Sequence, residues 1–219
     1  MGTLLTFEPP APHLRSALSE RLGVDVGLEP ARRAILAEIS FYRAHLHEGS
    51  DAAGLAALRR ASAEAMRPEL PPPAGEADGE LLTAALLDSL RFAAYPEVPA
   101  VLRALRASGI ALVVVSNWDV SLHERLADTG LDALVDGAVA SAEVGVAKPD
   151  PAIFGHALAI AGVGPEAAWH VGDSVEADVA GALAAGLVPV LVARDGAPPP
   201  SGAPVRTVAA LDGLPGLWS

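Results

Sequence analysis

The fold class is indicated most clearly by residues 110–117, which read IALVVVSN. An apolar run of this kind, rich in Val and Ile and without polar alternation, is typical of a strand that is buried on both faces of a parallel sheet. We therefore predict a strand over Ile110–Val115. Helices are predicted on either side of it, over Val98–Ala107 and Val120–Thr129, and a glycine follows each of them closely.

The same alternation of helix and strand continues toward the carboxyl terminus. Further strands are predicted over Gly137–Ser141, Ala168–Val171, Val188–Val192 and Val205–Val208, helices over Pro151–Ala161 and Val175–Ala185, and a Pro/Gly-rich loop over Asp195–Pro204. Such alternation predicts an α/β fold with a Rossmann-like parallel sheet. Ligands of these sheets bind beyond the carboxyl ends of the strands, so the polar residues directly after each strand are the candidates for a site.

The residues before about 95 have a different pattern, which predicts a series of helices. Helices are predicted over Pro12–Leu22, Glu29–His47, Ala52–Met66 and Glu80–Phe92, and no strand is predicted among them. A Pro/Gly-rich break at residues 71–79 separates the last two. This part of the chain is therefore predicted to form a helical subdomain.

Composition excludes several classes of protein. The 219 residues are 51% hydrophobic and 19% charged, which is enough apolar material for a real core. A net charge of −12 argues against a nucleic-acid partner, whose phosphates need clustered cations. The absence of cysteine excludes disulfides and a cysteine nucleophile and is compatible with the cytoplasm. No membrane span is expected, because no apolar run reaches about 18 residues. No signal peptide is expected, because the first residues show no charged segment followed by an apolar one.

The cations include one unusual residue. The chain has fourteen arginines but a single lysine, Lys148. A solvated surface position is the usual fate of a lysine. However, lysine offers a compact point charge where arginine offers a planar fork, and a site that must neutralise a carboxylate nucleophile and a phosphoryl oxygen together favours the point charge. Lys148 is therefore a candidate catalytic residue.

Polar residues also follow two of the predicted strands. Ser116 and Asn117 come directly after the first strand, where they could bind phosphoryl or carboxylate oxygens or serve only as turn residues. Asp173 ends a later strand, and Asp178 lies in the first turn of the next helix. Two such carboxylates suit a hard cation such as Mg²⁺, although capping of the helix would explain one of them.

Three motifs follow one another along the chain: Ser116-Asn117, Lys148-Pro149-Asp150-Pro151-x-Ile153-Phe154, and Gly172-Asp173-Ser174-x-x-x-Asp178-x-x-Gly181-Ala182. In this order and spacing they resemble the haloacid dehalogenase-like (HAD) hydrolase superfamily. Tyr95-Pro96-Glu97-Val98 is similar to the segment that opens the core in the subfamily with an early helical cap. The resemblance implies a helical cap over residues 10–94 and a Rossmann-like core over residues 95–219.

The resemblance also implies roles for the candidate residues. Ser116 and Lys148 would be catalytic, with Ser116 binding the transferred group together with Thr3, Asn117 and Lys148. Asp173 would hold Mg²⁺, and Asp178 would support the metal or Lys148. The family's chemistry is attack by an aspartate on a phosphoryl group or a halogenated carbon, followed by hydrolysis of the covalent intermediate. A small phosphorylated or halogenated molecule is therefore the expected partner.

The chain departs from the family at its start. The family's nucleophile lies in D-x-D-G-T at the end of the first, central strand. Gly2-Thr3 align with the final G-T, so Met1 takes the place of the second Asp and the nucleophile would lie two residues further upstream. Residues 1–9 are then a remnant of the nucleophile loop, and the first core strand is missing. Two rows of backbone groups would lose their partners.

We hypothesise that the start codon was assigned too late, and we expect the upstream DNA to encode an apolar run that ends in Asp-x. The first function to consider is a Mg²⁺-dependent phosphatase of a small metabolite, complete only in a longer product. An apolar residue in place of the second Asp removes the usual general acid, which favours the neighbouring dehalogenase chemistry. The second function is that of a non-catalytic relative that binds a small anion or a protein.

Other conspicuous residues have plainer interpretations. His45 and His47 are two positions apart and do not share a helix face, so no metal site is predicted there. His170 lies within a predicted strand and is expected to be packed. Substrate choice depends on cap residues such as Arg33, Tyr42 and Arg43. The sequence does not indicate an oligomeric state.

Overall fold

The computed structural model of the chain describes residues 2–194, 196 and 205–214. The chain divides into two compact units: Phe7–Phe92 form one, and the residues before and after that segment form the other. Met1 and most of the Pro/Gly-rich loop predicted over residues 195–204 lie outside the described residues. Among those that are described, no helix combines the length and the apolar character that crossing a bilayer requires.

The Phe7–Phe92 unit consists of helices, as predicted. Its helices are α1 (Pro10–Leu22), α2 (Leu28–His45), α3 (Ala52–Met66) and α4 (Gly79–Ser89), with 3₁₀ turns at Leu46–Glu48, Arg67–Glu69 and Ala74–Glu76. Asp51 and Asp78 accept backbone N–H bonds at the starts of α3 and α4. Helix α1 packs on α2 and α4, and α3 packs on the same two helices. Fully buried side chains such as Leu14, Leu18 and Leu82 form their shared core.

Two short strands lie where the chain passes from one unit to the other. Strand β1 (Leu5–Phe7) pairs with β2 (Phe92–Ala94), and the rings of Phe7 and Phe92 stack at 4.9 Å. The prediction of a helix up to Phe92 with no strand in this region is therefore wrong. Three-residue strands are too short to show the alternation by which a strand is recognised in a sequence.

The second unit alternates strands and helices, which confirms the predicted α/β fold. Its elements are α5 (Val98–Ala107), β3 (Val113–Ser116), α6 (Leu122–Asp128), β4 (Gly137–Ala140), α7 (Ser141–Val144), α8 (Ala152–Ala161), β5 (Trp169–Gly172), a π-helical segment (Val175–Ala180), α9 (Gly181–Ala184), β6 (Val188–Val192) and β7 (Arg206–Val208). Short 3₁₀ turns lie at Asp132–Leu134, Pro165–Ala167 and Leu211–Gly213. Strand β3 begins three residues later than predicted.

The strands of this unit form two parallel sheets rather than one. Strand β3 pairs with β4, Val113 opposite Gly137 and Ser116 opposite Ala140. Strands β5, β6 and β7 form the second sheet in that order. Within the part of the chain that the structure describes, no strand pairs with the second edge of β3 or of β5. This arrangement agrees with the expectation that one core strand is missing.

The two sheets nevertheless belong to one layer. On one face, Val114 of β3 and Trp169 and Val171 of β5 pack into the same apolar cluster with residues of α5 and α6. On the other face, Val113 and Val115 of β3 and Ala168 pack into a second cluster with residues of α8. Side chains from both strands thus pack into the same two clusters, one on each face. The two sheets therefore form one layer, and helices cover both of its faces.

A cavity of about 610 Å³ runs along β3 and β5. Its lining includes residues 112–116 and 168–171, so both strands border the same space. The side chains of β3 are only half-buried for this reason. The prediction that residues 110–115 are buried on both faces is wrong, because that burial requires a neighbouring strand that the described chain does not supply.

Candidate active site

The predicted site residues meet at the carboxyl ends of β3 and β5. Ser116 is the last residue of β3, Asp173 follows β5 directly, and Lys148 lies in the segment that precedes α8. All six predicted residues line one end of the cavity: Thr3, Ser116, Asn117, Lys148, Asp173 and Asp178. Residues that are far apart in the sequence are therefore collected at one edge of the layer, as the rule for parallel sheets requires.

Lys148 is held in a buried ion pair. Its Nζ lies 2.6 Å from Oδ1 of Asp178 and donates a second hydrogen bond to the Val115 carbonyl at 2.9 Å. Its side chain is only 11% exposed. The alternative of a solvated surface lysine is thus excluded. These two contacts use two of the three ammonium donors, and the cavity wall is where the third can meet a ligand.

Asn117 fastens the segment that carries Lys148. Its Nδ2 donates to the Lys148 carbonyl at 2.8 Å, and its Oδ1 accepts the Lys148 backbone N–H at 2.7 Å. Both the nitrogen and the oxygen of the Asn117 amide are thereby hydrogen-bonded to the Lys148 backbone. These contacts give Asn117 a positioning role, and its contact with phosphate stays a prediction.

Asp178 accepts hydrogen bonds on both oxygens. Oδ1 is shared between Lys148 and His170, and Oδ2 accepts the Ser174 backbone N–H at 2.9 Å. Burial on its own would raise the pKa of this carboxyl, but the His170 hydrogen bond and the Lys148 charge outweigh burial and hold the pKa well below its usual range. Glycine is required at position 172, because a Cβ there would overlap the Asp178 carboxyl group.

His170 belongs to this cluster, although the sequence predicted only a packed residue. Its Nε2 lies 2.8 Å from Oδ1 of Asp178, and its ring meets the Phe154 ring edge-on at 4.9 Å. Burial lowers the pKa of His170, and the Asp178 carboxylate opposes that change. The missed signal was its position two residues before Gly172, on the strand that Asp173 directly follows.

Gly2 and Thr3 lie against Asp173. The Thr3 hydroxyl donates to Oδ1 of Asp173 at 2.6 Å. Gly2 has a φ of +93°, and a Cβ at this position would lie 2.5 Å from Oδ2 of the same carboxylate. The start of the described chain is therefore packed directly onto one of the predicted metal ligands.

Arg194 holds that segment in place. Its guanidinium donates to the Gly2 and Thr3 carbonyls at 2.7 and 2.8 Å and forms an ion pair with Glu97 at 2.7 Å. The same group lies 3.5 Å above the centre of the Tyr95 ring. Arg194 follows β6 by two residues, so the rule that identified the other site residues could also have identified this one.

Mg²⁺ in proteins takes one or two carboxylates and keeps several waters. Asp173 fits, because its carboxylate lines the cavity beside a hydroxyl donor and no cation pairs with it among the described residues. Both oxygens of Asp178 already have partners. Oδ1 contacts Lys148 and His170, and Oδ2 accepts the Ser174 backbone N–H. Within the described ranges, no cluster of three or more His, Asp or Glu side chains could hold a metal by itself.

The fold and the site define an α/β protein whose lysine and carboxylates meet at the carboxyl edge of parallel strands, the arrangement of a hydrolase core. The model of the haloacid dehalogenase-like hydrolase family matches residues 2–186. The chain belongs to this family. This match confirms the resemblance to the family that the three sequence motifs indicated.

Individual relatives agree with the family. Phosphoserine phosphatase of Thermus thermophilus is 40% identical over 116 residues, which are 52% of this chain and 47% of that protein. A HAD phosphatase structure from Thermococcus onnurineus has a TM-score of 0.68 and 26% identity and covers 100% of this chain and 94% of its own. A 2-haloacid dehalogenase structure from Pseudomonas syringae pv. Tomato has a TM-score of 0.65 and 25% identity and covers 99% and 95%. The match spans about half the length of the curated relative.

Proposed function

We propose that the protein is a Mg²⁺-dependent phosphatase of a small phosphorylated metabolite, acting through an aspartyl-phosphate in a product that carries the family's nucleophile. The observation that carries this proposal is the Lys148–Asp178 ion pair at the carboxyl edge of the strands, beside Ser116 and Asp173. A cation that is buried and oriented in this way suits a reaction in which negative charge gathers on phosphoryl oxygens. The Thermus thermophilus relative is named as a phosphatase, which supports the same reaction.

Each residue then has one task. The Ser116 hydroxyl and the Lys148 ammonium bind phosphoryl oxygens, and Asp178 together with the Val115 carbonyl holds Lys148 in position. Asn117 fixes the backbone that carries Lys148. Of the two roles open to Asp178, its described contacts favour support of Lys148. We further propose that residues 10–94 act as the cap and that the protein works in the cytoplasm, for which the absence of cysteine is support.

Mg²⁺ would be held by Asp173, with Asp178 behind it. Bound there, the ion supplies positive charge that neutralises a phosphoryl oxygen and orients the group for attack. Thr3 is hydrogen-bonded to Asp173 and would align that carboxylate as well as line the phosphate pocket. Removal of Mg²⁺ by a chelator is expected to abolish turnover and leave the fold intact.

The test is turnover of p-nitrophenyl phosphate with Mg²⁺ by this chain and by a chain extended upstream to include the family's Asp-x. Turnover by the extended chain alone is the expected result. Turnover by neither chain contradicts the phosphatase proposal, and turnover by the present chain contradicts the need for an upstream nucleophile.

Lys148→Arg in the active chain is expected to lower kcat by at least about a hundredfold, because the planar guanidinium cannot reproduce the point-charge contacts to Asp178 and Val115. Arg32→Lys, at an arginine whose side chain is 67% exposed, is the matched control. Unchanged kcat in Lys148→Arg would contradict the assigned role, provided that circular dichroism shows a folded protein.

Dehalogenation of a small 2-haloacid is the second candidate. It is favoured by the likeness to a 2-haloacid dehalogenase structure over 99% of the chain and by Met1 at the place of the second Asp. Release of chloride from 2-chloropropionate, independent of Mg²⁺, by an extended chain that has no phosphatase activity would establish this alternative.

A further inference from the structure

Arg194 is anchored at the edge of the sheet where the candidate active site lies. Asp173 directly follows β5 and Arg194 follows β6 by two residues, and these two strands are parallel neighbours. The backbone N–H of Ala193 donates to the Val208 carbonyl at 2.9 Å, which fixes the chain directly before Arg194. The Arg194 side chain therefore reaches the Gly2–Thr3 segment from a fixed base.

The guanidinium of Arg194 contacts three acceptors at once. Nε donates to the Gly2 carbonyl at 2.7 Å, and Nη2 lies 2.8 Å from the Thr3 carbonyl and 2.7 Å from Oε1 of Glu97. The side chain is only 18% exposed. A planar fork with donors in fixed directions can serve two consecutive carbonyls together, whereas a lysine ammonium on a flexible stem cannot reproduce this geometry. These contacts therefore select arginine at this position.

Glu97 fixes the direction of this guanidinium. Its side chain is 19% exposed, and its backbone lies at the start of α5. Burial on its own would raise the pKa of Glu97, but backbone N–H groups of Glu97 and Leu211 and the Arg194 guanidinium outweigh burial and lower the pKa. Glu97 is therefore ionised at neutral pH and pairs with Arg194. The Tyr95 ring covers one face of the same guanidinium at 3.5 Å, which restricts its rotation further.

The hold on Gly2 and Thr3 extends to Asp173. The Thr3 hydroxyl donates to Oδ1 of Asp173 at 2.6 Å, and Gly2 packs against the same carboxylate. Hydrogen bonds weaken steeply when the donor turns away, so a shift of Thr3 would release the Asp173 carboxylate. Within the described chain, Thr3 and Asp173 line the cavity and Arg194 does not. Arg194 is therefore placed to act on the site through Thr3.

We propose that Arg194 is a positioning residue that fixes the Gly2–Thr3 segment, and that Glu97 orients Arg194 for this task. In the fixed position, the Thr3 hydroxyl aligns Asp173 for Mg²⁺ and meets the phosphoryl group. The kinetic consequences rest on the proposed phosphatase function, whereas the hold on Gly2–Thr3 does not.

Amide hydrogen exchange in the present chain tests the hold on residues 2–7. Arg194→Ala is expected to speed exchange in this fragment by about tenfold or more, and Arg194→Lys to recover little of the loss. Arg206→Ala is the matched control, because it removes another arginine that lies over an aromatic ring, 4.6 Å from the centre of Trp169. Residues 98–107 are the internal reference for an intact fold. Unchanged exchange in Arg194→Ala, or equal acceleration in Arg206→Ala, would overturn the proposal.

A double-mutant cycle tests whether Glu97 acts through Arg194. Glu97→Gln alone is expected to speed exchange in residues 2–7 by a smaller factor than Arg194→Ala does. In a chain that already carries Arg194→Ala, Glu97→Gln is expected to add nothing. The same factor in both backgrounds would overturn the role given to Glu97.

Kinetics of the extended, active chain test the consequence for the reaction. Arg194→Ala is expected to raise the KM for p-nitrophenyl phosphate and the Mg²⁺ concentration for half-maximal turnover by about tenfold each. The kcat at saturation should change by less than about threefold, because weaker binding alone leaves the rate of the saturated enzyme unchanged. Loss of folded protein would instead lower kcat and leave both constants unchanged, and that result would overturn the positioning role. Added methylguanidinium, which replaces the missing group, is expected to restore both constants.

A readout without turnover separates this proposal from the phosphatase. Mg²⁺ is expected to raise the midpoint of thermal unfolding of the extended chain, and Arg194→Ala should need about tenfold more Mg²⁺ for the same rise. No turnover by the extended chain, combined with faster exchange in Arg194→Ala, contradicts the proposed reaction and leaves the hold on Gly2–Thr3 standing. Turnover with constants that Arg194→Ala does not change contradicts the positioning role and leaves the reaction standing.

Discussion

The helical unit and the α/β unit bury their central elements to very different degrees. In the helical unit, Leu14, Leu18 and Leu82 have no exposed surface. In the α/β unit, all four residues of β3 remain half-buried, although they belong to the most apolar run of the chain. The difference follows from where each element finds its hydrogen-bond partners.

A helix satisfies its backbone within its own segment, so packing of four amphipathic neighbours is sufficient to close a core. A strand depends on both of its neighbours, which can be remote in the sequence. A neighbouring strand that the described residues do not supply therefore leaves one edge of β3 and of β5 unpaired and does not affect the helical unit. We therefore expect the stability of the α/β unit to depend more strongly on its few polar contacts than the stability of the helical unit does. Three substitutions test this expectation.

The largest effect is expected from Asp178→Asn, which removes the charge that neutralises buried Lys148 and accepts from His170. Breaking one side of a buried pair costs about 3–5 kcal/mol. Urea unfolding followed by tryptophan fluorescence measures it selectively, because none of the three tryptophans lies within residues 7–92. Asp25→Asn is the control: its pair with Arg15 is exposed in the helical unit, and circular dichroism during urea unfolding should show a much smaller loss of stability for this variant. Equal costs would remove the contrast between the units.

The next effect is a change with pH in the free energy of unfolding, of about 3 kcal/mol, caused by Glu38. This residue is the buried acid of the helical unit. Glu38 is 5% exposed, and burial raises its pKa to about 7, against the smaller opposing effect of Ser62. Its unfolded pKa is about 4.3, so the folded state binds the proton more tightly. Stability is therefore complete below about pH 4 and declines as the pH rises through about 7.

Circular dichroism during urea unfolding at a series of pH values measures this decline. Glu38→Gln keeps the shape of the side chain without the charge, and it should be more stable than the parent at pH 8 and equal to it near pH 4. A parallel pH dependence in both proteins would exclude Glu38 as its source.

The smallest effect compares two valines of the α/β unit. Val190 in β6 is 1% exposed, whereas Val114 in β3 is half-buried beside the cavity. Val190→Ala should cost about 2 kcal/mol, since methyl groups and close packing are both lost, and Val114→Ala should cost less than about 1 kcal/mol. Urea unfolding followed by tryptophan fluorescence measures both costs. Equal costs for the two variants would contradict the effect of this difference in burial.

The sequence predicted what depends on local pattern. Helix α3 and strand β6 have the predicted bounds. Ser116 and Asp173 were predicted as site residues because they follow predicted strands, and Lys148 because it is the single lysine. The structure places all three in the lining of one cavity, while their catalytic roles stay a prediction. Prediction from the sequence failed where a feature depends on contacts between residues that are far apart in the chain. The contact of His170 with Asp178 depends on how a strand faces the following helix, and β1 is recognisable only through its pairing with β2. Burial of β3 was overpredicted for the same reason, because apolar composition does not show whether a neighbour is present.

The Arg194 contacts described above also bear on the order of folding. Arg194 and Gly2 are 192 positions apart, so nearly the whole chain forms the loop that their hydrogen bond closes. Contacts of such long sequence separation cost chain entropy before they return any stabilisation, and they are correspondingly slow to form. The helices can form and pack early from local contacts, whereas the edge that carries Thr3 and Asp173 is completed only when the segments around Gly2 and Arg194 meet.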